Sequence, residues 1–101
     1  MLTSKQRAFL RGVAAAEDTI VIIGKGGVTD NIIIQMNDAL KARELVKGRV
    51  LENSLLSARE AADALSERCR AEVVQVIGSK FVLFKRNETK PKIELPKSRK
   101  K

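Results

Sequence analysis

Apolar residues recur at helical spacing near the start of the chain. Phe9, Leu10, Val13 and Ala14 fall on one stripe and predict a helix over residues 4–16. Thr3 stands at its cap position, and Gln6, three places on, completes a capping-box pattern. Arg7 and Arg11 share another face at i,i+4 spacing, with Lys5 nearby. The period changes at Thr19. The run Thr-Ile-Val-Ile-Ile is β-branched and shows no polar alternation, which predicts a central strand over 19–23 covered on both faces. Gly24 ends it. Thr29 or Asp30 can cap a second helix that carries Ile32, Ile33, Met36 and Leu40 on its buried side and runs to about Arg43.

A second strand spans Leu45 to Leu51, with Lys47 and Arg49 alternating onto one face and Val46, Gly48 and Val50 onto the other. A third helix fits Leu55 to about Arg70, capped by Asn53 or Ser54, with Ala58, Ala61, Ala62, Leu65 and Cys69 on one side. So many alanines predict close packing of that helix on a sheet. Residues 73–77 and 80–86 read as two more strands, joined by a two-residue turn at Gly78-Ser79. The order is α-β-α-β-α-β-β. Each β-α-β stretch predicts a right-handed crossover with parallel pairing, and the last two strands an antiparallel hairpin. The expected fold is a single α/β (α+β) domain, a mixed four-stranded sheet with helices packed on it. Residues 1–86 form this domain, and 87–101 a basic tail in which Pro91 and Pro96 bracket an extended or loose segment.

Composition narrows the chemistry. The chain has 101 residues, room for one domain, and 44% of them are hydrophobic, enough for one core. Its three aromatics are Phe9, Phe81 and Phe84, so the core is aliphatic. Twenty Lys and Arg against twelve Asp and Glu leave a formal charge of +8, which favours a polyanionic partner. Half of that excess, six Lys/Arg against two Glu, lies on 87–101; the folded part is basic in its own right. Histidine is absent and Cys69 is the one cysteine. The usual zinc ligands and the Ser-His and Cys-His forms of nucleophilic catalysis are therefore missing, and no internal disulfide can form. Cys69 reads as a small buried residue. Nothing approaches the ~20 apolar residues of a membrane span. The first residues lack the apolar stretch of a signal peptide, so the expected compartment is cytoplasmic and reducing.

Gly24-Lys25-Gly26-Gly27 places three glycines in four positions between a strand and a capped helix. Glycine permits positive φ and close approach of another backbone, and the following helix presents unpaired N–H groups to whatever sits there. Thr29 closes the segment, and Lys25 adds a full charge at its tip. The P-loop pattern is not met, because Gly26 rather than Ser or Thr follows Lys25; the dinucleotide fingerprint fails because Thr29 stands where its third glycine belongs. The G-x-x-G loop that clamps backbone nucleotides in KH-type modules is met in full. A tight turn with no ligand satisfies the same four residues. Lys47 and Arg49 gain weight as contacts if their sheet face is open and continuous with this turn; otherwise they are solvated charges. Arg7 and Arg11 form a second basic face. Lys80, Lys85 and Arg86 read equally well as solubility charges. With Phe81 and Phe84 on opposite strand faces, an aromatic stacking platform is poorly provided for, which favours contacts to phosphate and 2′-hydroxyl groups.

Five segments in order resemble one family: Leu-Arg-Gly at 10–12, Val-Ile-Ile-Gly-Lys-Gly-Gly-Val-Thr at 21–29, Glu-Leu-Val-Lys at 44–47, Val-Gln-Val-Ile-Gly at 74–78 and Val-Leu-Phe-Lys-Arg at 82–86. Lys92-Ile93-Glu94-Leu95-Pro96 is similar to the family's ending. The chain resembles the stand-alone bacterial CRM domain (chloroplast RNA splicing and ribosome maturation) of the YhbY kind. The resemblance implies a fold similar to the C-terminal domain of bacterial translation initiation factor three. It also implies an RNA-contacting loop at Gly24, Lys25, Gly26 and Gly27. Stand-alone members are linked to precursors of the large ribosomal subunit, and plant relatives to organellar intron splicing. The expected function is non-catalytic binding of ribosomal RNA by a monomer, with no cofactor, metal, membrane or small-molecule substrate. A general nucleic-acid-coating protein and a small nucleotide-binding domain are the alternatives.

Overall fold

Each helix begins where the sequence supplies an oxygen for the orphan amides of its first turn. The structure, a computed structural model, describes residues 2–87 together with Ile93 and Leu95. Its elements are α1 (Ser4–Ala15), β1 (Thr19–Ile23), α2 (Asp30–Arg43), β2 (Leu45–Val50), α3 (Ala58–Cys69), β3 (Glu72–Ile77) and β4 (Lys80–Phe84). Thr3 and Gln6 close a reciprocal capping box on α1, as their spacing predicts. Thr29 caps α2 by accepting from the Ile32 N–H at 3.2 Å. The basic ending 97–101 lies outside the described residues, as does the rest of the 87–101 tail apart from Asn87, Ile93 and Leu95.

The third helix starts three residues later than expected. Ser57 and Glu60 form a capping box, with Ser57 Oγ accepting from the Glu60 N–H at 3.1 Å and Glu60 Oε1 from the Ser57 N–H at 2.9 Å. Two reciprocal bonds outcompete the single side-chain oxygen that Asn53 or Ser54 could offer. Ser54 instead accepts the Leu56 N–H, which leaves Leu55 92% exposed before the helix. β4 also stops early, at Phe84, because the chain turns away to bond with Glu44.

The sheet order is β1-β2-β4-β3. β1 and β2 are parallel as expected, and β4 is antiparallel to both of its neighbours. The expected parallel pairing across α3 is not made, since β4 inserts between β2 and β3. β4 is the strand best suited to the interior, with Phe81, Val82, Leu83 and Phe84 all buried. β1 in turn is an edge strand, and the expectation that it is central and covered on both faces is wrong. Val21 and Ile23 are buried, but Ile20 and Ile22 are 36% and 49% exposed. Apolar content marks a strand as β-forming; it does not say whether a second layer reaches it.

Two layers of helix pack on the sheet unequally. α2 and α3 cover one face, joining Ile33, Met36, Leu40, Ala61, Ala62, Leu65 and Cys69 to Val21, Ile23, Val46, Phe81 and Leu83. α1 covers only part of the other, where Leu10 and Ala14 meet Leu45, Val74, Val82 and Phe84, with Ile93 and Leu95 packed alongside. Phe81 and Phe84 therefore serve opposite faces, and both are core.

Two local constraints hold these layers together. Gly48 pairs with Phe81 across β2 and β4, and a Cβ at position 48 would lie 2.4 Å from the ring's Cζ. The ring lies over the bare backbone. Glu44, fully buried, sits at φ 66°, outside the regions a side chain favours. Its carboxylate accepts the N–H of Asn87 at 2.6 Å and of Ile93 at 2.7 Å, and its carbonyl accepts the N–H of Lys85 at 2.9 Å. These bonds tie the chain after β4 to the end of α2 and hold the strained backbone in place. Gly48→Ala is expected to lower unfolding free energy by about 1–3 kcal/mol through overpacking against Phe81. Glu44→Gln should lower it by about 1.5–3 kcal/mol through loss of charge-assisted bonds. Urea denaturation checks both, and an unchanged midpoint in either variant would overturn its account.

Candidate nucleic-acid interface

Three loops meet at the carboxyl ends of the parallel strands, where open α/β sheets bind ligands. The first is Gly24–Gly27. The Gly27 N–H donates to the Gly24 carbonyl at 3.0 Å and closes a tight turn, with Lys25 and Gly26 exposed at its tip. Gly27 adopts φ 72°, a conformation that requires glycine. Gly24 and Gly26 do not. A Cβ at 24 would come no nearer than 3.7 Å to Leu51 Cδ1, and one at 26 would stand 3.4 Å from Thr29 Cγ2, both ordinary contacts. Nothing inside the protein demands glycine at these two positions. Gly26 is exposed next to Lys25, and Gly24 is half-buried beside Leu51 and Asn53.

The second loop, 51–57, braces the first. The Leu51 N–H donates to the Ile23 carbonyl at 2.8 Å and extends the β1–β2 pairing by one bond. Leu51 and Asn53 lie against Gly24, and Leu56 lies against Gly27. The third is the Gly78-Ser79 turn, which forms where the sequence predicts and has Gly78 at φ 58°. The Ser79 carbonyl accepts the Val50 N–H at 2.8 Å. Between the second and third loops lies an open cleft of about 830 Å³, lined by residues that include Arg49, Asn53, Ser57 and Ser79. No spacing rule in the sequence foretold it, because it arises between segments some 25 residues apart.

The expected contact residues separate into two groups. Gly24, Lys25, Gly26, Gly27 and Thr29 form one continuous segment at the end of β1. Thr29 Oγ1 is occupied as an acceptor in the α2 cap, and Asp30 in the first turn already offsets part of the positive end of the helix dipole. The turn and Lys25 are therefore better placed than the helix end to hold an anion. Arg49 joins this group, since it pairs with Ile22, two positions before Gly24. Lys47 pairs with Thr19, further from the turn and half-buried. Both cations project to the face that α1 leaves partly open, the same face as Leu45. Arg7 is elsewhere: its guanidinium donates to the Val73 carbonyl on β3, the edge strand opposite β1. Arg11 is exposed on α1. Ile22 and Ile77 carry no contact signal in the sequence, and Lys80 reads there equally well as a solubility charge. All three share the open face with Arg49, and only the strand order assembles them.

Cys69 is buried against α2, with its Sγ 3.9 Å from the Ile33 carbonyl. Burial pushes its thiol pKa above the ordinary value, against smaller opposing effects of Lys85 and Arg68. A raised pKa leaves less thiolate at neutral pH, so the residue is a packing element.

The chain matches the CRS1 / YhbY (CRM) domain family over residues 2–85. It is 46% identical over 96 residues to a Bacillus subtilis protein named "Probable RNA-binding protein YqeI", covering 95% of this chain and 100% of that one. It is 31% identical to a Haemophilus influenzae protein named "RNA-binding protein", covering 95% and 96%. The solution structure of a Staphylococcus aureus protein superposes with a TM-score of 0.79 at 47% identity, covering 95% of this chain and 100% of that one. The chain belongs to the CRM domain family. Thiol labelling tests the assignment of Cys69: the native domain should react much more slowly than the urea-unfolded chain, and equal rates would mean an accessible, reactive site.

Proposed function

We propose that this chain is a non-catalytic RNA-binding protein that grips the RNA backbone with Gly24–Gly27 and Lys25. The observation that carries this reading is the pair of glycines at 24 and 26. The fold has room for a side chain at both, so the bare backbone there is explained by what approaches from outside. A phosphodiester backbone fits. It can lie against the turn, take hydrogen bonds from exposed amides and accept the charge of Lys25. Arg49 and Lys47 extend the positive surface along the sheet, and the net charge of +8 adds long-range attraction. The family membership and the names of its relatives support RNA as the polyanion.

The finer reading is that the RNA is ribosomal, within precursors of the large subunit, and that the protein acts as a cytoplasmic monomer during assembly. Support for it is the family resemblance, together with a mode of contact suited to folded RNA. Crosslinking in cells followed by sequencing of the bound RNA should recover large-subunit ribosomal RNA and its precursors; a population dominated by messenger RNA would overturn this step. Equal affinity for duplex DNA and ribosomal RNA would instead favour a general nucleic-acid coat.

Lys25→Ala should weaken RNA binding without changing the thermal melt, because the side chain is exposed. Gly24→Ala should also weaken it with the fold intact; wild-type affinity in both variants would remove the turn from the site. If about five phosphates are engaged, log K should fall against log salt with a slope of roughly −3 to −5, and a slope near zero would exclude the electrostatic grip.

A further inference from the structure

One row of side chains crosses all four strands on the open face. Ile22 of β1 pairs with Arg49 of β2, Arg49 with Lys80 of β4, and Lys80 with Ile77 of β3. All four are exposed, Ile22 by 49% and Ile77 by 62%. α1 covers the far end of this face, the row of Leu45 and Phe84, and does not reach here. The open row lies at the end of the sheet nearest Gly24.

Its composition is unfavourable for the protein alone. Arg49 and Lys80 are like charges directly opposite on adjacent strands, an arrangement that destabilises a sheet. Among the described residues neither takes part in an ion pair. No Asp or Glu stands in this row or in the next, which runs through Thr19, Lys47, Val82 and Gln75. Two exposed isoleucines flank the cations. A ligand that relieves all of this must bring negative charge to the centre and apolar surface to either side.

The geometry points to an unpaired stretch of RNA lying across this row, with phosphate at Arg49 and Lys80 and bases against Ile22 and Ile77. This rests on the reading of the chain as an RNA-binding protein and adds the class of RNA and three contact residues, Ile22, Ile77 and Lys80. A duplex offers its phosphates but keeps the faces of its bases stacked inside, so it meets only the cations. An unpaired strand offers both, and aliphatic side chains here take the place that aromatic platforms hold in other single-strand binders. Ile22 stands two residues before Gly24, so a strand held by the glycine turn continues onto the row.

Fluorescence anisotropy with a labelled single-stranded oligoribonucleotide and a blunt RNA duplex of equal length tests this. The wild-type protein should prefer the single strand. Ile22→Ser with Ile77→Ser should weaken single-strand binding about tenfold and leave duplex binding unchanged. Ile77→Ser alone, beside the hairpin turn, should show a smaller loss in the same direction and keeps the test readable if the double variant does not fold. Lys80→Glu should have opposite effects in two assays. It should raise the melting temperature of the RNA-free domain, by setting an attraction in place of repulsion at Arg49, and lower single-strand affinity about tenfold or more. Row variants that bind the single strand like wild type, while Lys25→Ala does not, would overturn this inference and leave the functional reading standing. Failure of the wild-type protein to bind any RNA would overturn both. A concentration-dependent dimer in sedimentation, abolished by Ile77→Ser, would assign the row to a second copy of the chain instead.

Discussion

The placement of Phe81 over Gly48 fixes the rest of the molecule. A one-residue slip of register carries every side chain to the other face. A two-residue slip would set Val46 or Val50 opposite Phe81 in place of Gly48. The ring occupies the space that any Cβ at position 48 would need, so β2 and β4 have one alignment that packs. From that alignment Val50 reaches the Ser79 carbonyl, Arg49 stands opposite Lys80, and β4 lies between β2 and β3 with both faces buried. The carboxyl ends of β1 and β2 then lie beside the β3–β4 turn, and three loops converge. The candidate interface is a consequence of a packing contact in the core.

The sheet is covered unequally, and function is proposed where cover is lacking. α2 and α3 bury one face with aliphatic side chains and a stripe of alanines that lets α3 approach closely. α1 has twelve residues, a length of about 18 Å, and protects only the Leu45 and Phe84 end of the other face. The buried carboxylate of Glu44 supports that end by drawing the chain after β4 back toward α2, so that Ile93 and Leu95 pack beside α1. What remains uncovered combines cations and aliphatic groups next to a turn with bare backbone. A protein that needed only stability would gain from shielding this area. Its exposure is intelligible if a polyanion completes it.

The sequence by itself determined the local elements. Capping residues, the change from helical to β-branched pattern, and the Gly78-Ser79 turn are signals that act over a few residues, and they placed seven elements in the right order. The glycine turn was legible for the same reason, as was the burial of Cys69 on its helical stripe. Near Leu55 two local capping signals compete three residues apart, and the reciprocal pair at Ser57 and Glu60 prevails over Asn53 and Ser54.

Only the tertiary structure decided which strands are neighbours and which faces meet water. The run Thr19–Ile23 has the composition of an interior strand yet lies at an edge, and β4 separates two strands that a simple crossover would pair. Both outcomes depend on contacts between residues far apart in the chain, whose energies no local pattern records. The row from Ile22 to Ile77 draws one residue from each of four strands, so nothing in any single segment marks it. Local chemistry wrote the pieces of the sheet, and long-range packing of Phe81 on Gly48 chose how they are joined.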